Sequence, residues 1–251
     1  MRTAIITIAG ISARFNAGIP EDDKILKAIY NEGSAKDTLL FHLLNKCSYA
    51  DRIIIVGGYR YDDMREFFDT HLADSFPRTV FVRNDHFADL ASGYSLYLGV
   101  CEALGFGSTE ILFVEGDLDI DDESFGRVRD SKNAVLTYTT EPIYANKAVV
   151  LYQDAGGHYK YAFNSSHGCL TIDEPFACIL NSGQTWKFMD MKALEESNEE
   201  FAQKDLGGTN LAIIQGYIDR VPAEALELVK LDRWVNCNTR EDYRKIRGYW
   251  G

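Results

Sequence analysis

The chain has 251 residues, of which 46% are hydrophobic, and its formal net charge at pH 7 is −12. This length allows one large α/β domain or two small ones with an ample apolar core. The acidity argues against a protein whose main task is to bind nucleic acid or an anionic membrane surface, although a nucleotide needs only a few local cations.

The cysteines indicate the redox environment. They are scattered and odd in number, and no two form a C-x-x-C pair: Cys47, Cys101, Cys169, Cys178 and Cys237. This usage is typical of a reduced protein and argues against a zinc site or a disulfide framework. No apolar run approaches the length of a membrane span. We therefore expect a cytoplasmic protein with neither nucleic-acid nor membrane partners.

The first predicted strand, residues 3–9, is an apolar β-branched run that breaks at Gly10 into a loop of small residues ending in Arg14. The backbone N–H groups of such a loop approach an anion closely, and Arg14 together with Lys27 would neutralise a polyphosphate. The loop has neither a Walker A ending nor the glycines of a dinucleotide fingerprint. The pattern predicts nucleoside triphosphate binding, with Lys24 as an alternative to Lys27.

Further strands are predicted over residues 52–57, 79–83 and 110–115, alternating with helices over 37–47, 61–72 and 92–104. This alternation predicts an α/β fold with a doubly wound, mostly parallel sheet. In such sheets ligands bind at the carboxyl ends of the strands.

After residue 134 the pattern changes, and short runs at 135–138, 148–152, 159–163 and 177–180 predict an antiparallel extension of the sheet. Helices over 186–203 and 210–218, a strand over 226–231 and a helix over 241–247 complete the chain. No repeat or linker interrupts it, so we expect a single domain over residues 1–251.

An acidic cluster follows the fourth predicted strand. Alternation along an extended segment would place Asp117 and Asp119 on one side, where both reach one cation. Paired carboxylates at a strand end suit Mg²⁺ that also holds substrate phosphates. For the next two acids, Asp121 and Asp122, we favour a simpler role as N-terminal charges of a helix.

Two other tracts carry polar groups. Residues 84–96 combine the backbone freedom of Gly93 with hydroxyl groups, which suits reading a pyrimidine edge; Ser92 as a helix N-cap is the alternative, and both can hold. Near the end, Thr239 is predicted to cap the last helix with Asp242 at its third position. Asn238 would offer an amide oxygen to a cation, or serve as a turn residue. No serine or histidine pattern supports covalent catalysis.

In this order, the features resemble the nucleotidyltransferases of the sugar-phosphate type, with the closest likeness to bacterial CTP:phosphocholine cytidylyltransferases. Their opening motif, A-A-G-x-G-x-R followed by P-K, corresponds here to Ala9, Gly10, Arg14 and Lys27. The likeness continues through residues 84–89, 94–98 and 242–245 and through Asp117. Ser12 stands where the motif has its second glycine, and Leu26 where it has proline.

The resemblance implies a Rossmann-like sheet of the GT-A type, with a nucleotide-binding half over residues 1–130 and an acceptor-binding half over 131–251. Arg14 and Lys27 are the implied catalytic residues. Asp117 and Asn238 are the implied Mg²⁺ ligands, with Asp119 as a helper. The implied nucleotide-binding residues are Ala9, Gly10, Ile11, Ser12, Ala13, Arg14, Asn84, Ser92, Gly93 and Ser95.

The implied reaction is a Mg²⁺-dependent transfer of CMP from CTP to a small phosphorylated zwitterion, with release of pyrophosphate. Acceptors consistent with the resemblance are phosphocholine, aminoethylphosphonate and a phosphorylated amino acid or amide such as phosphoglutamine, destined for a surface polysaccharide. The candidate acceptor-binding residues are Tyr144, Lys147, Ser182, Gln184 and Trp186.

Three alternatives remain open at this point: a sugar-1-phosphate nucleotidyltransferase, a glycosyltransferase with an Asp-x-Asp metal site, and a non-catalytic nucleotide-binding regulatory protein.

Overall fold

Seven helices and eleven strands make up the computed structural model, which describes residues 1–144, 149–162 and 170–250. The strands are β1 (Arg2–Ile8), β2 (Arg52–Gly57), β3 (Thr79–Arg83), β4 (Glu110–Glu115), β5 (Leu118–Ile120), β6 (Ala134–Thr139), β7 (Val150–Asp154), β8 (Tyr159–Tyr161), β9 (Phe176–Phe188), β10 (Leu226–Lys230) and β11 (Trp234–Asn236). The helices are α1 (Leu39–Cys47), α2 (Tyr61–His71), α3 (Ser92–Gly105), α4 (Asp122–Asp130), α5 (Met191–Lys204), α6 (Asn210–Ile218) and α7 (Arg240–Trp250).

The main sheet has a parallel centre and an antiparallel extension. Strands β1 to β4 are parallel in the order β4-β1-β2-β3. On the far side of β4, β9 pairs antiparallel with both β4 and β6, and β10 lies parallel to β6. Strand β7 continues the extension from β9, and β8 pairs with β7. The expected α/β fold class, with its mostly parallel centre and antiparallel second half, is confirmed.

Alternate residues of the central strands enter two separate cores. In β1, Ile6 packs with α1 and α2 on one face, whereas Ile5 packs with α3, α5 and α6 on the other. Strand β4 divides in the same way, with Leu112 on the first face and Phe113 on the second. Strands covered by helices on both faces are apolar throughout, and this explains why their runs were readable in the sequence.

The helix predicted over 186–203 was wrong at its start. Residues up to Phe188 continue β9, and α5 begins only at Met191. Trp186 is fully buried and stacks on Phe113 of the neighbouring β4 strand. The next residue, Lys187, is buried on the other face of the sheet, where its amine pairs with Glu110 at 3.1 Å. Burial on both faces of the sheet hides the alternation by which a strand is recognised.

The chain changes direction across the sheet at β1. It first builds β2 and β3 on one side of β1 and then crosses to form β4 on the other side. The connections at the carboxyl ends of β1 and β4 therefore diverge and leave a crevice, which is where open α/β sheets bind ligands. A turn at Gly116 and Asp117 leads from β4 into β5, which pairs antiparallel with β11.

The last helix is attached below this crevice. Asp119 forms an ion pair with Arg233 and accepts a hydrogen bond from Trp250 Nε1 at 2.9 Å. The Trp250 ring stacks on His42 of α1, with 3.9 Å between centroids. As predicted, Thr239 and Asp242 exchange hydrogen bonds at the start of α7, which fixes the segment that leads from β11 into the helix. Within the described ranges, no helix is long and apolar enough to cross a membrane.

The closeness of β1 and β4 at the crevice depends on Gly116. A Cβ atom there would lie 2.1 Å from Ile8 Cγ2 and 2.7 Å from the Thr7 carbonyl oxygen. We predict that Gly116→Ala lowers the free energy of unfolding by about 1–3 kcal/mol, because the strand ends must separate. Chemical denaturation measures the change.

The matched control is Gly126→Ala in α4, where an added Cβ would meet only Arg129 Nη2, at 3.8 Å. This substitution is expected to raise the free energy of unfolding, by up to about 1 kcal/mol, through helix propensity. Equal stability of the two variants would contradict the close approach at Gly116.

Candidate active site

A cavity of about 290 Å³ opens between the carboxyl ends of β1 and β4; we call it the first cavity. Ala9 and Gly10 contribute the end of β1, and Glu115 and Asp117 contribute the end of β4. The other polar lining residues are Thr7, Lys27, Asn84, Ser92 and Ser95. The structure thus brings together predicted residues from four separate tracts of the sequence.

Lys27 and Asp117 form an ion pair in this cavity. Lys27 Nζ donates to Asp117 Oδ2 at 2.7 Å and to the Cys237 carbonyl at 3.1 Å. Both side chains keep about a fifth of their surface exposed, at 18% and 21%. Lys24 instead pairs with Glu21 and lines a different hollow, beside Tyr59. Of the two lysines considered from the sequence, only Lys27 therefore faces the first cavity.

The second oxygen of Asp117, Oδ1, is buried and makes no hydrogen bond to the described part of the chain. The backbone beside it is fixed, because Cys237 N donates to the Asp117 carbonyl at 2.7 Å, and this places Asn238 next to the same turn. One free carboxylate oxygen with a neighbouring amide fits Mg²⁺, which commonly takes few protein ligands together with substrate phosphates. The described residues contain no cluster of three or more acidic, histidine or cysteine ligands.

The opening loop, residues 9–14, is held in a conformation that usually needs glycine. Ser12 has φ of +54°, in the left-handed region. Its Oγ accepts a hydrogen bond from Lys27 N at 3.3 Å, and its carbonyl accepts one from Asn16 N at 3.0 Å. The serine therefore adopts a left-handed conformation that favours glycine, and it also connects the loop to the Lys27 segment.

The opening loop points its residues in different directions. Ala9 and Gly10 line the first cavity, whereas Ile11 and Ala13 line the hollow beside Tyr59. Arg14 lies on a second cavity, of about 570 Å³, together with Tyr144 and Asn238. Of the opening loop, Ala9 and Gly10 therefore line the first cavity, and Arg14 faces the second cavity.

The opposite wall of the first cavity is a hydrogen-bonded polar layer. Asn84 Nδ2 donates to Ser95 Oγ at 2.9 Å, and Asn84 Oδ1 accepts from His86 N. Ser92 Oγ accepts from Asn210 N at 3.2 Å. Gly93 turns away from the cavity, because a Cβ there would lie 2.5 Å from the Gly208 carbonyl oxygen. It packs closely against Phe201 and Gly208 and does not line the first cavity.

Glu115 at the end of β4 was not singled out from the sequence. Its Oε1 accepts a hydrogen bond from Asn210 Nδ2 at 2.8 Å. Withdrawal from solvent, and secondly the negative charge of Asp117, raise the pKa of the Glu115 carboxyl to about 8. The clue in the sequence was the position of an acid directly at the end of a buried strand, two residues before Asp117.

Several predicted residues lie outside both cavities. Asp119 is 2% exposed and engaged with Arg233, because Gly116 and Asp117 form a turn and β5 begins only at Leu118. The alternation that was assumed to align Asp119 with Asp117 therefore does not apply.

Most of the candidate acceptor-binding residues also lie away from the two cavities. Three of them are buried in β9 and line neither cavity: Ser182, Gln184 and Trp186. Trp186 Nε1 is used internally, donating to Tyr161 Oη at 2.6 Å. Tyr144 does line the second cavity, and Lys147 lies outside the described residues.

The raised pKa of Glu115 makes stability depend on pH. The folded protein retains this proton up to about pH 8, whereas the unfolded chain loses it near 4.5. The free energy that this retained proton contributes to folding is therefore fully present below about pH 4.5, and it is lost as pH rises through about 8. We predict that Glu115→Gln gains stability relative to the parent between pH 5.5 and pH 8.5, as measured by urea denaturation in a metal chelator.

Glu199→Gln, on the exposed face of α5, is the control and is expected to show no such trend. A Glu115→Gln difference that is constant across this pH range would contradict the assignment.

Solved structures with a similar fold are nucleotidyltransferases. Inositol-1-phosphate CTP transferase from T. maritima matches with a TM-score of 0.67 and 13% identity, over 99% of this chain and 95% of the other. CTP:phosphocholine cytidylyltransferase from Streptococcus pneumoniae (LicC) matches with a TM-score of 0.63 and 16% identity, over 100% and 99%. A UDP-glucose pyrophosphorylase complexed with UDP-glucose matches with a TM-score of 0.70 and 12% identity, over 100% of this chain and 98% of the other.

These similarities show the fold, and the resemblance predicted from the sequence is confirmed at that level. A search of the curated proteins finds no match. Residues 23–250 match the family described as Domain of unknown function (DUF6564), and because this match spans most of the sequence, the chain belongs to that family.

Proposed function

We propose that this chain is a Mg²⁺-dependent cytidylyltransferase that joins CMP from CTP to a small phosphorylated acceptor and releases pyrophosphate. The observation that carries the proposal is the Lys27–Asp117 pair at the β1–β4 crevice, with Asp117 Oδ1 left free for a cation. A cation site and an amine at one strand end suit a polyphosphate substrate.

The first cavity provides a place for the nucleotide. Its phosphates would lie at Gly10 and Lys27, where the backbone of the opening loop is exposed and an amine is fixed. Its base would face the polar layer of Asn84, Ser92 and Ser95. Hydroxyl and amide groups at that wall can exchange hydrogen bonds with a pyrimidine edge.

The second cavity provides a place for the acceptor. Arg14 lines it together with Asn238, whose backbone adjoins the Asp117 turn. We assign Arg14 to the phosphate of the acceptor, because a guanidinium binds a phosphate through paired hydrogen bonds. The two cavities thus flank the residues that would hold the reacting phosphates.

In the proposed reaction, a phosphate oxygen of the acceptor attacks the α-phosphorus of CTP. The new P–O bond forms as the bond from that phosphorus to the oxygen bridging the β-phosphate breaks, and pyrophosphate leaves with the electron pair. The attacking oxygen is already anionic, so no general base is needed. Within the described ranges no histidine lines either cavity, and burial raises the pKa of the Cys237 thiol to about 12.

The residues of this chain would act by positioning and by charge. Asp117 and Asn238 would hold Mg²⁺, which supplies positive charge to neutralise the phosphates. Lys27 is held at the same point by Asp117 and the Cys237 carbonyl, so that its amine is already oriented before substrate binds. Such preorganised charge is commonly a large contribution to phosphoryl-transfer catalysis.

The geometry weighs against the Asp-x-Asp glycosyltransferase. That site requires both carboxylates on one cation, whereas Asp119 is paired with Arg233 and bonded to Trp250. The choice of CTP is supported by the two similar structures that are CTP-dependent by name, and the pyrophosphorylase with UDP-glucose keeps a sugar phosphate acceptor as the second candidate. We further propose a cytoplasmic location and a product used for surface polysaccharide.

A pyrophosphate-release assay tests the proposed function. With Mg²⁺, the four nucleoside triphosphates are crossed with phosphocholine, phosphoethanolamine, aminoethylphosphonate, phospho-amino acids and sugar phosphates. We expect turnover with CTP and a small phosphorylated zwitterion. Turnover restricted to UTP or dTTP with a sugar phosphate would contradict both the base and the acceptor, and pyrophosphate in no combination would contradict the activity.

The same assay tests Asp117. We predict that Asp117→Asn lowers kcat/KM by at least about a hundredfold, or roughly 3 kcal/mol, because the cation loses its carboxylate. Asp69→Asn, an exposed residue of α2 paired with Arg65, is the control and should retain full turnover. Near-normal activity of folded Asp117→Asn would show that the metal site lies elsewhere.

A further inference from the structure

The second cavity contains more than the phosphate-binding Arg14. Asn181 of β9 and Asn236 of β11 line the same space. Asn236 pairs with Leu118, the residue after Asp117, so this wall adjoins the proposed cation site. The remaining charged lining residues are Glu141, Glu241, Asp242 and Lys245.

Two amide oxygens in this wall have no hydrogen-bond donor. Oδ1 of Asn181 and Oδ1 of Asn236 are both buried and unpartnered among the described residues. Asn181 is only 6% exposed, and its Nδ2 lies 3.5 Å from the Glu141 carbonyl oxygen, which distinguishes the nitrogen end from the oxygen end. Buried acceptors are normally paired, and because both unpaired oxygens belong to residues that line this cavity, a ligand that supplies donors would satisfy them.

The charged residues of the cavity indicate which kind of hydrogen-bond donor the ligand would carry. Glu141 and Glu241 bring carboxylates to the cavity, while the Asp242 carboxylate is already used by Thr239 and the backbone at the start of α7. Arg14 and Lys245 supply the positive charge that a phosphate needs. A molecule with a phosphate at one end and a cationic or polar N–H group at the other would match both kinds of lining.

Resting on the proposed function, we infer that the acceptor is a phosphate ester or phosphonate whose other end carries N–H donors, as a primary ammonium or a primary amide does. A quaternary ammonium has no N–H and would leave both asparagine oxygens unpaired. Such a group is bound by several converging aromatic faces. Among the described residues only Tyr144 and Trp234 bring rings to this cavity, and Trp234 Nε1 is tied to the Gly183 carbonyl at 2.9 Å.

Each of the two oxygens exposes less than 1 Å². Binding of such an acceptor would therefore require the asparagine side chains to turn so that these oxygens reach the cavity.

Calorimetric binding to the full chain, with Mg²⁺ and a non-hydrolysable CTP analogue present, tests the inference without requiring turnover. The probes are matched pairs that differ only in methylation: phosphoethanolamine against phosphocholine, and glycolamide phosphate against its N,N-dimethyl form. We expect the unmethylated member of at least one pair to bind at least tenfold more tightly than its methylated partner. A difference of this size corresponds to one or two buried hydrogen bonds that the methylated partner cannot make.

Equal or tighter binding of the methylated members of both pairs would overturn the inference. So would no binding of any of these probes at millimolar concentration, or tighter binding of glucose-1-phosphate than of all four. Failure of the proposed function is recognised separately, by absence of pyrophosphate release and of binding of the CTP analogue alone.

Variants of the two asparagines identify the oxygens responsible. Asn236→Leu is expected to weaken binding of the preferred unmethylated probe by about tenfold and to change binding of its methylated partner by less than twofold. Asn181→Leu, at the more buried position, is the second test, and the same selective loss of binding is expected. Asn236→Asp keeps an acceptor oxygen and should restore binding of phosphoethanolamine.

Asn45→Leu, on the exposed face of α1, is the control and should leave every affinity unchanged. A loss of affinity for both members of a pair in Asn236→Leu and Asn181→Leu would mean that the asparagines only shape the wall, and it would overturn their assignment as acceptors for the head group.

Discussion

The contact between Lys27 and Asp117 is the interaction on which the site depends. It joins two residues that are 90 positions apart in the sequence, at the point where β1 and β4 separate. The same lysine donates to the Cys237 carbonyl, and Cys237 N donates to the Asp117 carbonyl. The beginning, middle and end of the chain therefore meet at Asp117, and the two cavities lie on either side of it.

This convergence requires a tight fit at the strand ends. Gly116 leaves no room for a side chain against Ile8, so that the turn carrying Asp117 starts directly from the sheet. The pairing of β5 with β11 then places residues 236–238 beside that turn. The proposed cation site, the first cavity and the second cavity are thus consequences of one crossover in the sheet and one short antiparallel pair.

The sequence predicted the features that depend on local pattern. Alternating strands and helices predicted the sheet, and the position of Asp117 shortly after β4 predicted that it lies at the carboxyl edge of that sheet. Ser12 stands where the motif has glycine, and its φ of +54° lies in the left-handed region that glycine adopts most easily. Its hydrogen bond with Lys27 N is an addition that the motif does not predict.

What the sequence could not predict depends on long-range pairing. The directions of Asp119 and Trp186 follow from the turn before β5 and from the register of β9 between β4 and β6. Asn181 and Asn236 became candidates only once β9 and β11 were seen to border the same cavity. Lys27 could be preferred over Lys24 only when their partners, Asp117 and Glu21, were known.

The most direct test of the central claim is a crystal structure with CTP and Mn²⁺, because the anomalous signal of manganese locates the metal independently of the surrounding model. We predict a manganese peak in coordination contact with Asp117 Oδ1 and with the triphosphate, which lies between Gly10 and Lys27, and the cytosine against Asn84, Ser92 and Ser95. A manganese peak or a triphosphate bound away from the β1–β4 crevice would contradict the account.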